Sequence, residues 1–125
     1  MTDPRVIGHG NGISSIRLDL PFPSPRFVFA YVIEGDEGLA IIDSGVDLPE
    51  SWTTFTTGLE ALGHSTSDPT HVIGSHMHPD HIGMANRMVD TAGADFVMHE
   101  VAADIAHLYD DWTIYRATLA DLAGQ

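Results

Sequence analysis

Three histidines and an aspartate fall close together in the segment His76-Met77-His78-Pro79-Asp80-His81. Imidazole and carboxylate groups are ligands that zinc binds in proteins, and they also suit iron and manganese. On an extended backbone alternate side chains point the same way, so His76 and His78 can present two imidazoles to one ion. Asp80 and His81 follow where the chain turns into a helix, and they can reach a second ion. The spacing therefore predicts a site for two metal ions.

The remaining histidines give weaker signals, because an isolated histidine is more often a polar surface or capping residue than a metal ligand. His99 follows a predicted strand and is the one further candidate ligand, although a histidine at a strand end is more often structural. No ligand-like context surrounds the others, which are His9, His64, His71 and His107. The chain has no cysteine, so neither a disulfide framework nor a thiolate metal site is available.

The chain before the cluster predicts strands that would position it. Residues 13–19 are predicted to form a short strand and residues 26–34 a second one, which is rich in aromatic and β-branched side chains. A turn at 34–38 joins this second strand to residues 39–42 as an antiparallel hairpin. Residues 71–75 form a short apolar strand directly before the histidines. One more short strand is predicted at residues 94–98.

A helix is predicted between the hairpin and the histidines, because apolar residues recur there at intervals of three and four: Trp52, Phe55, Leu59 and Leu62. Asp47 and Glu50 have the spacing of a capping box at its start, and Pro49 falls in the first turn. Gly63 stands where a left-handed residue commonly ends a helix.

A second helix is predicted from the cluster to Gly93, with an apolar face formed by Ile82, Ala85, Met88, Val89 and Ala92. Helical spacing returns over residues 101–122, at Val101, Ile105, Leu108, Trp112, Tyr115, Leu119 and Leu122. Strands followed by alternating helices and strands predict an α/β layered fold, and residues 1–125 are expected to form a single domain.

Residues 75–83, Ser-His-Met-His-Pro-Asp-His-Ile-Gly, resemble the HxHxDH signature of the metallo-β-lactamase superfamily. One helix earlier, Ile-Ile-Asp-Ser-Gly at residues 41–45 is similar to the first motif of that family. The resemblance implies the N-terminal half of an αββα sandwich, with a mixed sheet and flanking helices. It assigns His76 and His78 to one metal, Asp80 and His81 to a second, and to Asp43 the support of the site without direct metal contact.

The resemblance also implies a function. Two zinc ions are expected in the full fold, with iron or manganese as alternatives, and they would lower the pKa of a bound water and polarise the group under attack. Asp80 is the expected catalytic residue, because it would also orient this nucleophile. The Pro-Asp-His-Ile-Gly form of the motif resembles thioester hydrolases of the hydroxyacylglutathione type, so a thioester or related ester is the expected substrate. Two alternatives stay open: a β-lactamase or phosphodiesterase of this fold, and a non-catalytic metal-binding or interaction remnant.

Full domains of this family are longer, and their second half supplies further metal ligands. This half-length chain is therefore expected to be weak or inactive by itself. The first sheet would also lack the second sheet that normally covers it. The uncovered surface is expected to be one of two alternative faces: one with Phe27, Phe29, Tyr31 and Ile33, the other with Val28, Val32 and Ile42. Either would favour a homo-oligomer, most simply a dimer.

The charge of the chain limits its partners. Eighteen acidic residues stand against 5 basic ones, for a formal net charge of −13, which repels the phosphate backbone of nucleic acids. A small-molecule substrate is therefore expected, with no nucleic-acid partner. No stretch has the apolar length needed to cross a membrane, and nothing near Met1 reads as a secretory signal, so neither a membrane partner nor secretion is expected. The expected location is the cytoplasm.

Overall fold

The computed structural model describes residues 5–75 and 79–98, with the backbone alone for Pro79 and Asp80. The strands in this part of the chain are β1 (Val6–Gly10), β2 (Ile13–Asp19), β3 (Phe27–Gly35), β4 (Gly38–Ile42), β5 (His71–Ile73) and β6 (Asp95–Val97). The helices are α1 (Pro49–Ala61), α2 (Pro79–Ile82) and α3 (Ala85–Ala92). None of these helices is long and apolar enough to span a membrane. The helix predicted over residues 101–122 lies outside the described residues.

These strands form one six-stranded sheet, in which the spatial order of the strands equals their order along the chain. β1 to β4 pair in antiparallel fashion, whereas β5 and β6 add to the sheet as parallel strands. The connections explain the change, since a tight turn joins β3 to β4 while α1 crosses over between β4 and β5. The mixed sheet with flanking helices expected from the sequence is confirmed.

Two of the predicted strands agree closely with the structure. β2 has the predicted bounds, and β3 begins and ends one residue later than predicted. β1 has no counterpart among the predicted elements, because two of its five residues are glycine, which is unfavourable in strands. Asn11 and Gly12 join β1 to β2 with φ angles of 56° and 77°, and this left-handed pair matches the twist of a two-residue hairpin turn.

The helix α1 confirms the predicted helix but not its predicted start. Its N-terminal capping residue is Leu48, and no side chain caps the first turn, so the proposed capping box of Asp47 and Glu50 is wrong. The carboxylate of Asp47 instead accepts hydrogen bonds from Arg87 on α3, with Oδ1 at 2.9 Å from both Nε and Nη2. At the other end Gly63 has a φ of 85°, as predicted for the residue that ends the helix.

The helix predicted from the histidine cluster to Gly93 is divided into α2 and α3 by Gly83 and Met84. The carbonyl oxygen of His81, which a continuous helix would pair with the N–H of Ala85, accepts a hydrogen bond from the N–H of Ser44 at 2.9 Å. A contact between distant segments thus coincides with the break. α3 ends as predicted, with Gly93 at a φ of 68°.

One face of the sheet forms the core with α1 and α3. Its largest buried side chains come from β2 to β5 and from these helices: Ile16, Leu18, Val32, Ile41, Val72, Phe55, Leu59 and Met88. Gly58 lets α1 approach β2 closely, since a Cβ atom there would lie 2.8 Å from Cδ1 of Ile16. The core therefore holds α1 in place, and in the sequence this helix lies between the two segments that form the site described below.

The opposite face of the sheet, here called the open face, carries the alternate residues of the strands. Its apolar side chains are Ile7, Ile13, Phe27, Phe29, Tyr31, Ile33, Ala40, Ile42, Ile73 and Val97. Phe27 and Tyr31 are 46% and 40% exposed, while Val28 and Val32 pack in or against the core. Of the two alternative faces, the one with Phe27 and Tyr31 is thus the face left open by the described residues. Ile42 belongs to it as well, contrary to the grouping with Val28.

Candidate metal centre

The candidate site lies where the parallel strands β4 and β5 end. Ile42 and Ile73 are partners in the register of these strands, so the residues that follow them leave the sheet side by side. Asp43 comes directly after β4, and Ser75 follows β5 by two residues. α2 brings His81 back to the same place. Three segments that are far apart in the sequence therefore meet at one edge of the sheet.

Asp43 has an unusual backbone conformation for a residue with a side chain. Its φ is 66°, in the left-handed region that aspartate and asparagine tolerate better than most residues. Its N–H donates to the carbonyl oxygen of Ile73 at 2.9 Å, which ties the end of β4 to the end of β5. The residue is only 9% exposed, so its carboxylate is turned into the protein rather than into solvent.

The carboxylate of Asp43 accepts three hydrogen bonds. Oδ1 accepts from the backbone N–H of Ser75 at 2.9 Å. Oδ2 accepts from the hydroxyl of Ser75 at 2.8 Å and from Nδ1 of His81 at 2.9 Å. Burial raises the pKa of this carboxyl, but the hydrogen bonds from His81 and Ser75 outweigh burial, so the pKa lies below its usual value. Asp43 is therefore an anion that holds His81.

His81 is held at its backbone as well as at its ring. Its carbonyl oxygen accepts hydrogen bonds from the N–H of Ser44 at 2.9 Å and from the hydroxyl of Ser44 at 3.3 Å. The ring is held by Asp43, so two adjacent residues of one loop fix both ends of His81. No pattern in the sequence indicates this role for Ser44, or for Ser75 beyond its place in the motif, because both act through bonds across more than thirty residues.

The contact with Asp43 decides which ring nitrogen of His81 can bind a metal. An ionised carboxylate only accepts hydrogen bonds, so Nδ1 carries the proton and Nε2 carries the lone pair of the neutral ring. Metal-binding histidines almost always donate their other ring N–H to a carboxylate, a carbonyl or water. The Asp43–His81 pair is therefore the arrangement that a metal ligand needs, and it fits the group that the sequence predicts.

The remaining predicted ligands cannot be placed in the same way. His76 and His78 lie outside the described residues, and for Asp80 only the backbone in α2 is described. Among the side chains that the structure does describe, no three His, Asp or Glu residues are grouped to hold a metal ion. The four-ligand cluster and the supporting role of Asp43 thus stay predictions, and the hydrogen bond from Nδ1 of His81 to Asp43 is the contact that joins the two motifs in the structure.

The histidines without ligand-like context have other neighbours in the fold. Nε2 of His9 lies 2.9 Å from the hydroxyl oxygen of Ser15. Nε2 of His64 lies 2.9 Å from Oε1 of Glu34. Nδ1 of His71 lies 3.0 Å from the hydroxyl oxygen of Thr70. His99 and His107 lie outside the described residues.

Comparison with known families identifies the fold that carries this site. Residues 23–121 match the family profile described as the metallo-beta-lactamase superfamily. Because the match covers most of the chain and includes Asp43, Ser75 and His81, the chain belongs to the metallo-beta-lactamase superfamily. None of the curated proteins compared with it matches.

Solved structures show the same fold. A metallo-beta-lactamase family protein from Thermus thermophilus has a TM-score of 0.66 and 25% identity, over 71% of this chain and 29% of that protein. The Cronobacter sakazakii metallo-beta-lactamase with a HARLDQ motif gives 0.67 and 21%, over 80% and 36%. BJP-1, a subclass B3 enzyme of Bradyrhizobium japonicum, gives 0.59 and 20%, over 74% and 31%. The chain thus spans 29% to 36% of the length of these proteins.

Proposed function

We propose that the chain carries the metal-binding part of a metal-dependent hydrolase that acts on a thioester or a related ester. Membership of the superfamily supports a metallo-hydrolase type of fold. The observation that carries the proposal is the hydrogen bond between Asp43 and Nδ1 of His81, because this pairing is the usual support of a metal-binding histidine.

In the proposed centre His76 and His78 hold one ion, and Asp80 and His81 hold a second. Zinc suits this set of imidazole and carboxylate ligands best, with iron or manganese as alternatives. When bound, the ions would activate a water molecule as nucleophile and polarise the carbonyl under attack. Asp80 also orients the attacking water. Asp43 keeps the His81 ring oriented, with a proton on Nδ1 and with Nε2 turned towards the ion.

The choice of substrate rests on two features of the sequence. The Pro79-Asp80-His81-Ile82-Gly83 form of the motif resembles that of thioester hydrolases, and the net charge of −13 disfavours nucleic acids. Both point to a small molecule. A β-lactam or a phosphodiester is the competing substrate class for this fold, and the experiment below includes both.

A second candidate function is a metal-binding module without turnover. The chain spans 29% to 36% of the length of the solved proteins it matches. Ligands from outside this length would complete the coordination of both ions, and without them the attacking water is poorly positioned. We therefore expect the chain alone to bind metal more readily than it catalyses.

The test combines metal content with turnover. We expect the chain dialysed against zinc to retain metal and to hydrolyse thioesters slowly, and lactams and phosphodiesters less. His78→Ala should lose both metal and turnover, while His71→Ala, which changes an exposed histidine beside Thr70, should lose neither. Mass spectrometry for bound metal and a chromogenic substrate panel measure the two effects.

The outcomes separate the candidates. Metal retention without turnover on any substrate would favour the binding module. A wild-type chain that retains no zinc, iron or manganese would contradict both candidates.

A further inference from the structure

Ser75 contacts both oxygens of the Asp43 carboxylate. Its backbone N–H donates to Oδ1 at 2.9 Å, and its hydroxyl donates to Oδ2 at 2.8 Å. Oδ2 is also the atom that accepts from Nδ1 of His81 at 2.9 Å. The hydroxyl of Ser75 and the ring of His81 thus share one oxygen atom, and the position of that atom sets the direction in which the ring N–H points.

The two bonds from Ser75 have different effects on the carboxylate. The torsion that rotates an aspartate carboxylate has a broad energy profile, so one hydrogen bond to Oδ1 restrains the rotation of the carboxylate only loosely. The bond from the hydroxyl to Oδ2 restrains the same rotation from the other oxygen and narrows its range. Because every substitution except proline keeps the backbone N–H, the hydroxyl is the part of Ser75 that a variant can remove by itself.

The backbone of His81 is fixed independently of Asp43, since Ser44 binds its carbonyl oxygen. The ring is bound separately, through the hydrogen bond from Nδ1 to Oδ2 of Asp43. We propose that Ser75 is a positioning residue of the metal centre, whose hydroxyl orients the His81 imidazole through Asp43. The proposal rests on the proposed function in one respect, namely that His81 is a metal ligand through Nε2.

Ser75 offers a clean experiment because the residue is exposed, so a larger side chain can be accommodated there. Threonine and valine have nearly the same shape and differ in the hydroxyl. Ser75→Thr and Ser75→Val therefore form a matched pair that keeps the bulk of the side chain constant, and Ser75→Ala removes the hydroxyl without added bulk. Ser15→Ala is the control, because Ser15 is a buried serine whose hydroxyl also lies next to a histidine ring, that of His9.

Two measurements on the full chain test the proposal. The first is the tautomer of His81 in the metal-free chain, read from the nitrogen shifts of its ring and assigned with His81→Gln. We expect the Nδ1–H form in the wild type, Ser75→Thr and Ser15→Ala, and a mixture of tautomers in Ser75→Ala and Ser75→Val. The second is a titration with Co²⁺ followed by its visible absorption. We expect an affinity about tenfold weaker for Ser75→Ala and Ser75→Val than for Ser75→Thr.

Each outcome has a defined meaning. If Ser75→Val matches Ser75→Thr in both measurements, the proposal is overturned. If Ser75→Ala does not fold, the matched pair still decides. If the tautomer responds as expected but even the wild type binds no Co²⁺, the proposed function fails, while the orientation of His81 by Ser75 stands.

Discussion

At the scale of single residues, Asp43 combines a left-handed backbone with a buried, negatively charged side chain. Glycine would adopt the left-handed conformation at a lower energetic cost, and serine could be buried at a lower cost in desolvation. Aspartate is favoured because its two oxygens accept three hydrogen bonds from Ser75 and His81. These hydrogen bonds thus explain why aspartate occupies the position despite the cost of its left-handed backbone.

Replacing Asp43 by asparagine tests this interpretation. Asparagine tolerates the same left-handed backbone, but its amide nitrogen cannot accept the hydrogen bonds that Oδ2 accepts from Ser75 and His81. We expect Asp43→Asn to lower the free energy of unfolding of the metal-free chain by about 1–3 kcal/mol, because hydrogen bonds to a charged acceptor contribute more than those between neutral groups. Urea denaturation measures the change.

The control for that measurement is Asp95→Asn, at an exposed aspartate in β6. We expect it to change the free energy of unfolding by less than about 0.5 kcal/mol. Equal effects of the two variants would show that the Asp43 carboxylate contributes nothing specific to the fold.

At the scale of elements, α1 begins without a side-chain cap, and Asp47 in the preceding loop binds Arg87 on α3 instead. The guanidinium of Arg87 also lies 5.4 Å from the centre of the Trp52 ring on α1. One cation therefore connects α3 to both the start of α1 and the loop that carries Asp43. The loss of stability caused by a substitution at Asp47 should therefore depend on whether Arg87 is present.

A double-mutant cycle with Asp47→Ala and Arg87→Ala distinguishes a role of Asp47 as the partner of Arg87 from a role as a helix cap. If Asp47 acts through Arg87, the single variants should each lose stability and the double variant should lose less than their sum. The expected coupling is about 0.2–1 kcal/mol, since both side chains are partly exposed. A cap would behave differently, because Asp47→Ala would then cost about 1 kcal/mol whether or not Arg87 is present. Thermal unfolding of the four proteins measures the coupling.

The elements that the sequence predicts best are those fixed by local patterns. The aromatic and β-branched composition of β3 and the helical spacing of α1 are properties of neighbouring residues, and both elements form in the predicted segments. The break between α2 and α3 coincides with the bond from Ser44 to His81, which no local pattern contains. The role of Ser75 likewise depends on hydrogen bonds to a distant residue, which no local pattern contains. The motif can indicate that Asp43 supports the site, but not which atoms it contacts.

At the scale of the whole molecule, the open face of the sheet is an apolar surface of the described residues that the core does not use. Phe27, Tyr31, Ile7 and Val97 are each at least 40% exposed on this face. Burial of apolar surface stabilises association by about 25 cal/mol per Å², so a few hundred Å² amount to several kcal/mol. We therefore propose that two copies of the chain associate through their open faces.

Light scattering on a size-exclusion column tests the association. We expect a dimer at tens of micromolar chain, and we expect Phe27→Glu together with Tyr31→Glu to yield monomers, because charges at the centre of the contact would be desolvated without partners. Glu37→Gln with Glu50→Gln, at exposed residues of a turn and a helix start, is the control and should leave the dimer intact. A wild-type monomer that binds no dye for apolar surfaces would contradict the proposal.

The crossover through α1 has a consequence for the order in which the molecule folds. Asp43 meets Ser75 and His81 only after the chain between β4 and β5 has closed, across separations of 32 and 38 residues. Closing such a loop costs entropy before any contact offsets it, and parallel pairing is correspondingly slow. The strands from β1 to β4 are joined by connections of at most seven residues and need no such long closure. We therefore expect the hydrogen bonds around Asp43 to be among the last to form, so that an ion that requires them would bind only to chains that have finished folding.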